Sequence, residues 1–560
     1  MKPTSVFSKI VSFVLIISLS GIFINAKDPV RARKGMIVSS EKIATEIGVK
    51  ILKQGGNAVD AAVAVGFALS VTFPYAGNIG GGGFMVIHLA DGKNITLDFR
   101  EKAPSSAFRD MFIDSSGNLD TLKSQYGWSS AGVPGTVAGL MLALEKYGTM
   151  NLKEVIQPAI DLAEEGFPVS YKMAASINRY NEVFNRYESS RKIFTKEGAP
   201  LAEDEMFIQK DLAKTLRLIR EYGIKGFYEG ETAELIAEQS KKAGAYISPD
   251  DLKKYSVAVR EPVYGKYKDY EIISMAPPSS GGTAIIETLN ILEHYSFEKD
   301  EWGSGRYYKV LTDALKYAYY DRARYLGDPD FVKIPIDTLL SKKYAERIYK
   351  KISENIFPTE TFKETKERQE TTHYSAADAL GNAVSVTYTV NSAYGSKVVV
   401  EGAGFLMNNE MDDFSAKPGA PNQFGLVGSE ANSIQPGKRM LSSMSPVIVL
   451  KNGRPYIVTG SPGGATIITS VLQVVLNVLE FGMNICDAVE MPRIHHQYLP
   501  NHIEYEKFGL SRDVREHLIE KGEKVKEVKS LGCVESILID DNGIFWGAAD
   551  PRGYGLAEGF

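Results

Sequence analysis

The residue types best placed to do chemistry in this 560-residue sequence gather around Thr371. It stands in Gln369-Glu370-Thr371-Thr372-His373-Tyr374-Ser375, where a charged, apolar-poor run (350–370) gives way to alternating, strand-like sequence. Two hydroxyl- and glycine-rich clusters follow, Leu441-Ser442-Ser443-Met444-Ser445-Pro446 and Thr459-Gly460-Ser461-Pro462-Gly463-Gly464. An internal threonine has no built-in base and is a poor nucleophile. A threonine that begins a chain carries one, because its own α-amino group titrates near pKa ~8. The chemistry to test is nucleophilic attack by an N-terminal threonine, which requires a cut before Thr371.

The elements that would position these groups follow from pattern. From Thr372 the period is two, then Ala379-Leu380-Gly381-Asn382 makes a turn and residues 383–389 return as a second strand. Residues 447–450 and 455–459 form a hairpin around Lys451-Asn452-Gly453. A helix over 465–479 begins directly after Gly463-Gly464, and strands over 536–540 and 544–548 flank Asp541-Asn542-Gly543. Upstream, Ser39-Ser40 reads as a helix start with Glu41 in its first turn. Residues 58–71 are apolar nearly all round, the pattern of a buried helix. The run Gly80-Gly81-Gly82-Gly83 precedes a strand and lacks a G-x-G-x-x-G frame, so it reads as close backbone packing, not a dinucleotide site. Helices are expected over 155–165, 209–222, 230–244, 283–292 and 305–330, and exposed mobile chain over 350–370. Arg100 closes the short strand Thr96-Leu97-Asp98-Phe99; on its flanks alone it reads as a surface ion-pairing residue.

Composition is that of a globular protein, 44% hydrophobic and 24% charged. A net charge of −5 with no basic block argues against a nucleic-acid partner. Residues 1–26 differ from the rest. Lys2 and Lys9 precede an apolar run from Ile10 to Ile24 and then Asn25-Ala26, the form of a secretory signal and too short for a membrane span. Its removal takes away two lysines and no acid, moving the net charge from −5 to −7. The expectation is an exported protein, periplasmic or secreted, with no membrane attachment afterwards. Two cysteines, Cys486 and Cys533, are too few to build the fold and could pair or stay reduced.

From Gly55-Gly56-Asn57-Ala58-Val59-Asp60-Ala61 to Asp550-Pro551-Arg552 the sequence resembles the γ-glutamyltransferase (γ-glutamyltranspeptidase) family. The likeness runs through residues 97–101, the Thr371 stretch, 408–414, 441–446 and 460–464. It implies an α+β fold, the four-layer αββα sandwich of N-terminal nucleophile hydrolases. It also implies self-cleavage into a large subunit (27–370) and a small one (371–560) that form one interwoven domain. By the same resemblance Thr371 is the nucleophile, Thr389 orients it, and Gly463 and Gly464 form the oxyanion hole. Arg100, Ser442 and Ser443 hold the substrate α-carboxylate, Asn391, Glu410 and Asp413 surround its α-ammonium, and 418–428 is a lid. Three positions depart from the family pattern: Glu410 for a common Gln, Phe424 for a gating Tyr, and Leu380 for an acid in the strand turn.

The implied reaction takes the γ-glutamyl group of glutathione or related amides through a threonine ester to water, an amino acid or a dipeptide, with no cofactor and no metal. A glutaryl-cephalosporin-type acylase on the same scaffold is the alternative. A non-catalytic binding protein is opposed by the intact Thr371, Thr389 and Gly463-Gly464. A zinc hydrolase is disfavoured because His495 and His496 are adjacent and H-E-x-x-H is absent.

Overall fold

The structure, a computed structural model, describes residues 28–359, 371–417, 419, 422, 423, 426 and 428–560. The signal-like residues 1–26, Glu370, and Pro418 and Phe424 of the expected lid lie outside the described residues.

Two seven-stranded sheets are at the centre. One runs, edge to edge, Leu556–Gly559, Gly35–Ser39, Thr372–Asp378, Ala383–Thr389, Gly82–His88, Asn94–Phe99 and Ala258–Arg260. The other runs Val30–Ala32, Phe545–Ala549, Glu535–Ile539, Arg454–Thr459, Val447–Lys451, Tyr270–Ser274 and Val263–Tyr267. Pairing within both is antiparallel. Both halves of the expected precursor contribute strands to each sheet, so both parts pack into each of the two cores.

Every residue of Thr372–Asp378 is buried, which explains how a period-two pattern sits in the middle of the molecule. Tyr374 and Ala376 turn outward into a core with the helix Ala58–Thr72, all fifteen residues of which are buried. His373 and Ser375 turn inward to the facing sheet, where Ser375 Oγ donates to the carbonyls of Val458 (3.3 Å) and Glu535 (3.0 Å). Ser385 bonds Thr459 across the same gap at 2.9 Å. Polar alternation thus marks an inter-sheet face whose hydroxyls are satisfied by the opposite backbone, not a solvent face. Burial pushes His373 down to about pKa 3, so it sits there neutral, hydrogen-bonded with Thr387 and Ser375. Helices Gly281–Leu292 and Thr466–Leu479 cover the second sheet in a separate core. The layers are therefore αββα, as the resemblance implies.

The glycine run is a close-packing device. A Cβ on Gly80 would lie 2.0 Å from the Leu406 carbonyl oxygen and one on Gly81 1.9 Å from that of Thr389. No side chain fits there, and the backbone of the strand carrying Thr389 is fixed by that contact.

Some boundaries differ from expectation. Ser39 ends a strand, and the helix Lys42–Lys53 is capped by Glu41, whose carboxylate accepts from Ala44 N. The run expected to be mobile from residue 350 begins inside the helix Lys342–Ser353, anchored by Ala345, Ile348 and Ile352; its remainder from 360 lies outside the described residues. Cys486 and Cys533 are not joined in a disulfide.

Candidate active site

Thr371 precedes the strand Thr372–Asp378 directly and is 7% exposed. The register pairs Thr372 with Tyr388, which continues to set Thr371 opposite Thr389 at the end of the neighbouring strand. Thr389 Oγ1 accepts from Asn391 N at 2.8 Å, and Asn391 is held at φ 79° with its amide donating to Asn409 O at 3.0 Å. On the other side of Thr371, Gly463 and Gly464 both adopt positive φ (132° and 52°), a turn that side chains disfavour. Their carbonyls accept from Thr466 N and Ile467 N and so start the helix Thr466–Leu479. Neither glycine N–H has an acceptor among the described residues. Two adjacent uncommitted N–H groups at a helix entry suit a developing oxyanion.

A cleft enclosing about 750 Å³, part of it open to solvent, is lined by Thr371, Thr389, Asn391, Gly464, Ser442 and Ser443, and by the charged residues below. Arg100, which its flanks place at the surface, is instead fully buried beneath it. The strand Asn94–Phe99 ends at the cleft wall and delivers Arg100 inward, where Tyr255 Oη donates to its carbonyl. Its guanidinium donates to Glu410 Oε1 and, at 2.5 Å, to Asp413 Oδ2, with Glu101 Oε2 at 3.7 Å. Glu410 and Asp413 come from the 3₁₀ turn Glu410–Asp413.

One guanidinium thus faces three carboxyl groups. Burial works against the Arg100 charge, but Glu410, Asp413 and Glu101 outweigh it and hold its pKa above the ordinary value. Burial raises Glu410 and Asp413 despite Arg100, and pushes Glu101 up to about 8. Among the described residues neither Glu101 oxygen nor Glu410 Oε2 has a hydrogen-bond partner. The folded protein therefore retains protons here that the unfolded chain releases near its ordinary carboxyl pKa. A raised folded pKa gives stability that is full below about pH 4.5 and is lost as pH rises through about 8. Melting temperature is expected to fall across that window, and Glu101→Gln to flatten the fall; a profile unchanged in the variant would place the protons elsewhere.

Ser442 and Ser443 are held in place by the loop before Gly281–Leu292. Ser442 N donates to Pro278 O and Ser280 N to Ser442 O. The described part of the expected lid closes over the acids: Asn422 Nδ2 lies 3.5 Å from Asp413 Oδ1, and Gln423 N donates to Asp412 Oδ2 at 3.3 Å. Asp412, which burial pushes to about pKa 7, also accepts from Ser124 at 2.6 Å. Every described residue expected at the site is at or beside this cleft. Glu101, Asp412, Ser280 and Arg322 are additions. A signal for Arg322 was present: it continues the buried stripe Leu311, Leu315, Ala318 of the helix Gly305–Tyr325, and a charge on such a stripe marks an interior partner.

The family model described as Gamma-glutamyltranspeptidase matches residues 44–560. The chain is 49% identical over 530 residues to the glutathione hydrolase proenzyme of Escherichia coli K12, covering 94% of this chain and 91% of that protein. Among solved structures it is similar to the gamma-glutamyltranspeptidase of Helicobacter pylori (49% identity, TM-score 0.56, 57% of this chain and 94% of that chain). It is also similar to a cephalosporin acylase from Bacillus halodurans (28% identity, TM-score 0.85, 97% of this chain and 98% of that chain). The acylase matches over nearly the whole chain at lower identity, whereas the transpeptidase chain matches 57% of this one, which bounds its TM-score. With the buried Arg100–Glu410–Asp413 cluster opposite a threonine and two glycine amides, the match over nearly the whole sequence establishes that the chain belongs to the gamma-glutamyltranspeptidase family, enzymes of the N-terminal nucleophile hydrolase type.

Proposed function

We propose that the chain is cut between Glu370 and Thr371 by the Thr371 hydroxyl. The hydroxyl attacks the preceding carbonyl, the amide becomes an ester, and water hydrolyses it. The products are subunits 27–370 and 371–560, after loss of an export signal at 1–26. Among the described residues no helix is long and apolar enough to cross a membrane.

In the mature enzyme the freed α-amine takes the proton of Thr371 Oγ as the oxygen attacks the γ-carbonyl of glutathione or a related γ-glutamyl amide. Thr389 orients the hydroxyl, and the Gly463 and Gly464 amides stabilise the oxyanion. The proton passes to the leaving amine, and water or an acceptor amine resolves the γ-glutamyl ester. Thr371 and Gly463 also border a second cleft with Lys172, Arg179, His502 and Lys529. This supports entry of a carboxylate-bearing amino acid or dipeptide acceptor from that side.

The observation that carries the γ-glutamyl reading over a glutaryl one is the buried cluster of excess acid at Glu410 and Asp413. A substrate ammonium brings a second cation that favours the ionised form of these acids, and an ionised carboxylate only accepts, which suits an ammonium that glutaryl compounds lack. Leaving such an acceptor unmatched costs on the order of 1–3 kcal/mol, roughly one to two decades in specificity. The test is kcat/KM for γ-glutamyl and glutaryl anilides. Wild type is expected to prefer the γ-glutamyl compound, and Asp413→Asn to lose γ-glutamyl turnover far more than glutaryl turnover. Equal or better use of the glutaryl anilide by wild type would transfer the reading to an acylase.

A further inference from the structure

Thr371 borders two clefts, and among the described residues it is the one lining residue they share. The second, which Gly463 and Thr466 also line, encloses about 3240 Å³, part of it open to solvent, against about 750 Å³ for the first. Small-molecule sites typically take about 300–1,000 Å³, so the second cleft has room for an extended chain. Its lining comes from both halves of the expected precursor. One contributor is the helix Tyr171–Phe184. Another is the small sheet of Ile494–His495, Ile503–Glu506 and Val525–Val528, with the loop that leads on to Cys533.

This lining is basic in a chain whose net charge is −5. Lys172 and Arg179 are seven positions apart, about two turns, so they project from one face of their helix. Lys524 and Lys526 are two apart at the start of Val525–Val528 and share one face of that strand. Lys529 follows the strand directly. Glu504 is the one acid among the lining residues, and it is already taken by Lys526 at 2.6 Å, with His502 at 3.3 Å. Arg552 is likewise committed to Glu506 and Asp550. Among the described residues no carboxylate oxygen lies within 4.0 Å of the side-chain nitrogens of Lys172, Arg179, Lys524 or Lys529. Lys172 is half-buried with its ammonium 5.0 Å from the centre of the Tyr554 ring, and the other three are exposed. A cleft lined by one sign of charge concentrates the opposite sign within it.

With the acyl group in the first cleft, the group that resolves the Thr371 ester arrives through the second. We propose that the second cleft binds an acidic peptide as acyl acceptor, its α-amine at the Thr371 ester and its carboxylates along Lys172 and Arg179 and along Lys524 and Lys529. The neutral amine nitrogen attacks the ester carbonyl, the bond from that carbon to Thr371 Oγ breaks, and a γ-glutamyl peptide leaves. The proton lost by the amine passes through the Thr371 α-amine to Thr371 Oγ. An acceptor with a single carboxylate satisfies one pair of cations; one with several satisfies both, so selection rises with the number of carboxylates. This rests on the γ-glutamyl reading and adds to it the class of acceptor.

The experiment uses the processed enzyme with a γ-glutamyl anilide as donor, whose leaving amine carries no carboxylate, so any charge effect belongs to the acceptor. The acceptors are aspartyl-aspartate and its near-isostere asparaginyl-asparagine, and the readout is the ratio of their kcat/KM values for transfer. Wild type is expected to favour the acidic dipeptide by about 10-fold at low ionic strength, a ratio that shrinks to within about twofold at about 0.5 M salt. Lys172→Gln with Arg179→Gln, and separately Lys524→Gln with Lys529→Gln, should each lower the low-salt ratio by about threefold. A wild-type ratio near one, a ratio unchanged in both double variants, or parallel loss on both dipeptides would overturn the proposal. Subunit cleavage and melting temperature report whether each variant folds. If a variant fails to mature, the wild-type salt series decides: a preference that salt does not weaken is not set by these exposed cations. A wild type that hydrolyses the anilide but transfers to neither dipeptide would overturn the acceptor site alone, whereas one that does not turn over the γ-glutamyl anilide would sink the underlying γ-glutamyl reading.

Discussion

Thr371→Ala is expected to give one uncut chain with activity lowered by at least about four orders of magnitude. Two losses coincide at this position. Without the hydroxyl nothing attacks the Glu370 carbonyl, so the chain stays joined. Without the cut the residue has no α-amine to act as base, so even a nucleophile supplied at 371 would lack its proton acceptor. Thr371→Ser separates the two, because it keeps the hydroxyl: it should still be cut, and should show measurable turnover. The fold should survive both changes, since Thr371 precedes the strand Thr372–Asp378 and the buried side chains of that strand are untouched. Denaturing electrophoresis with N-terminal sequencing of the small subunit reads the cut, and an anilide assay reads turnover. Normal processing of the alanine variant would exclude Thr371 as the cleaving nucleophile.

Local order was legible where it is coded locally. The turn at Ala379–Asn382 and the glycine pair before Thr466–Leu479 could be read from a few adjacent residues, and they place Thr389 and the Gly463 and Gly464 amides. The glycine run was legible as close packing, though not what packs there: the Thr389 carbonyl against Gly81 lies more than three hundred positions away. The charge cluster was illegible for the same reason. Asp98-Phe99-Arg100-Glu101-Lys102 reads like a strand reaching solvent, yet Asp98 is matched by Arg260 and Arg439, and Arg100 by Glu410 and Asp413. Ion pairs that bridge separate segments leave no periodicity in either. Only the family resemblance carried Arg100, Glu410 and Asp413 to one site. It could not indicate that Glu101 and Arg322 complete the charge pattern.

That pattern makes Arg100→Met the second large effect. Methionine fills much of the volume but leaves Glu101, Glu410 and Asp413 together in a buried site with no cation among them. Removing one partner of a buried ion pair typically destabilises by about 3–5 kcal/mol, because the remaining charge is uncompensated. Here three acidic groups share the one cation, and each would respond by holding its proton more tightly. All three already have raised pKa values, which burial sets against Arg100; deleting the guanidinium removes the opposing influence and raises them further. The sign of the pH dependence follows. Groups protonated in the fold and ionised when unfolded stabilise the fold below their unfolded pKa, near 4, and that stability drains away as pH rises. Arg100→Met should thus approach wild-type stability near pH 4 and fall furthest behind it at pH 7–8, while Asp413→Asn in the same background should recover part of the loss by deleting one ionisable group. Thermal melts of the three proteins at pH 4, 6 and 8 measure this directly. A deficit that is constant with pH, or one that the added Asp413→Asn does not reduce, would mean that Arg100 holds the cleft by packing and not by balancing its acids.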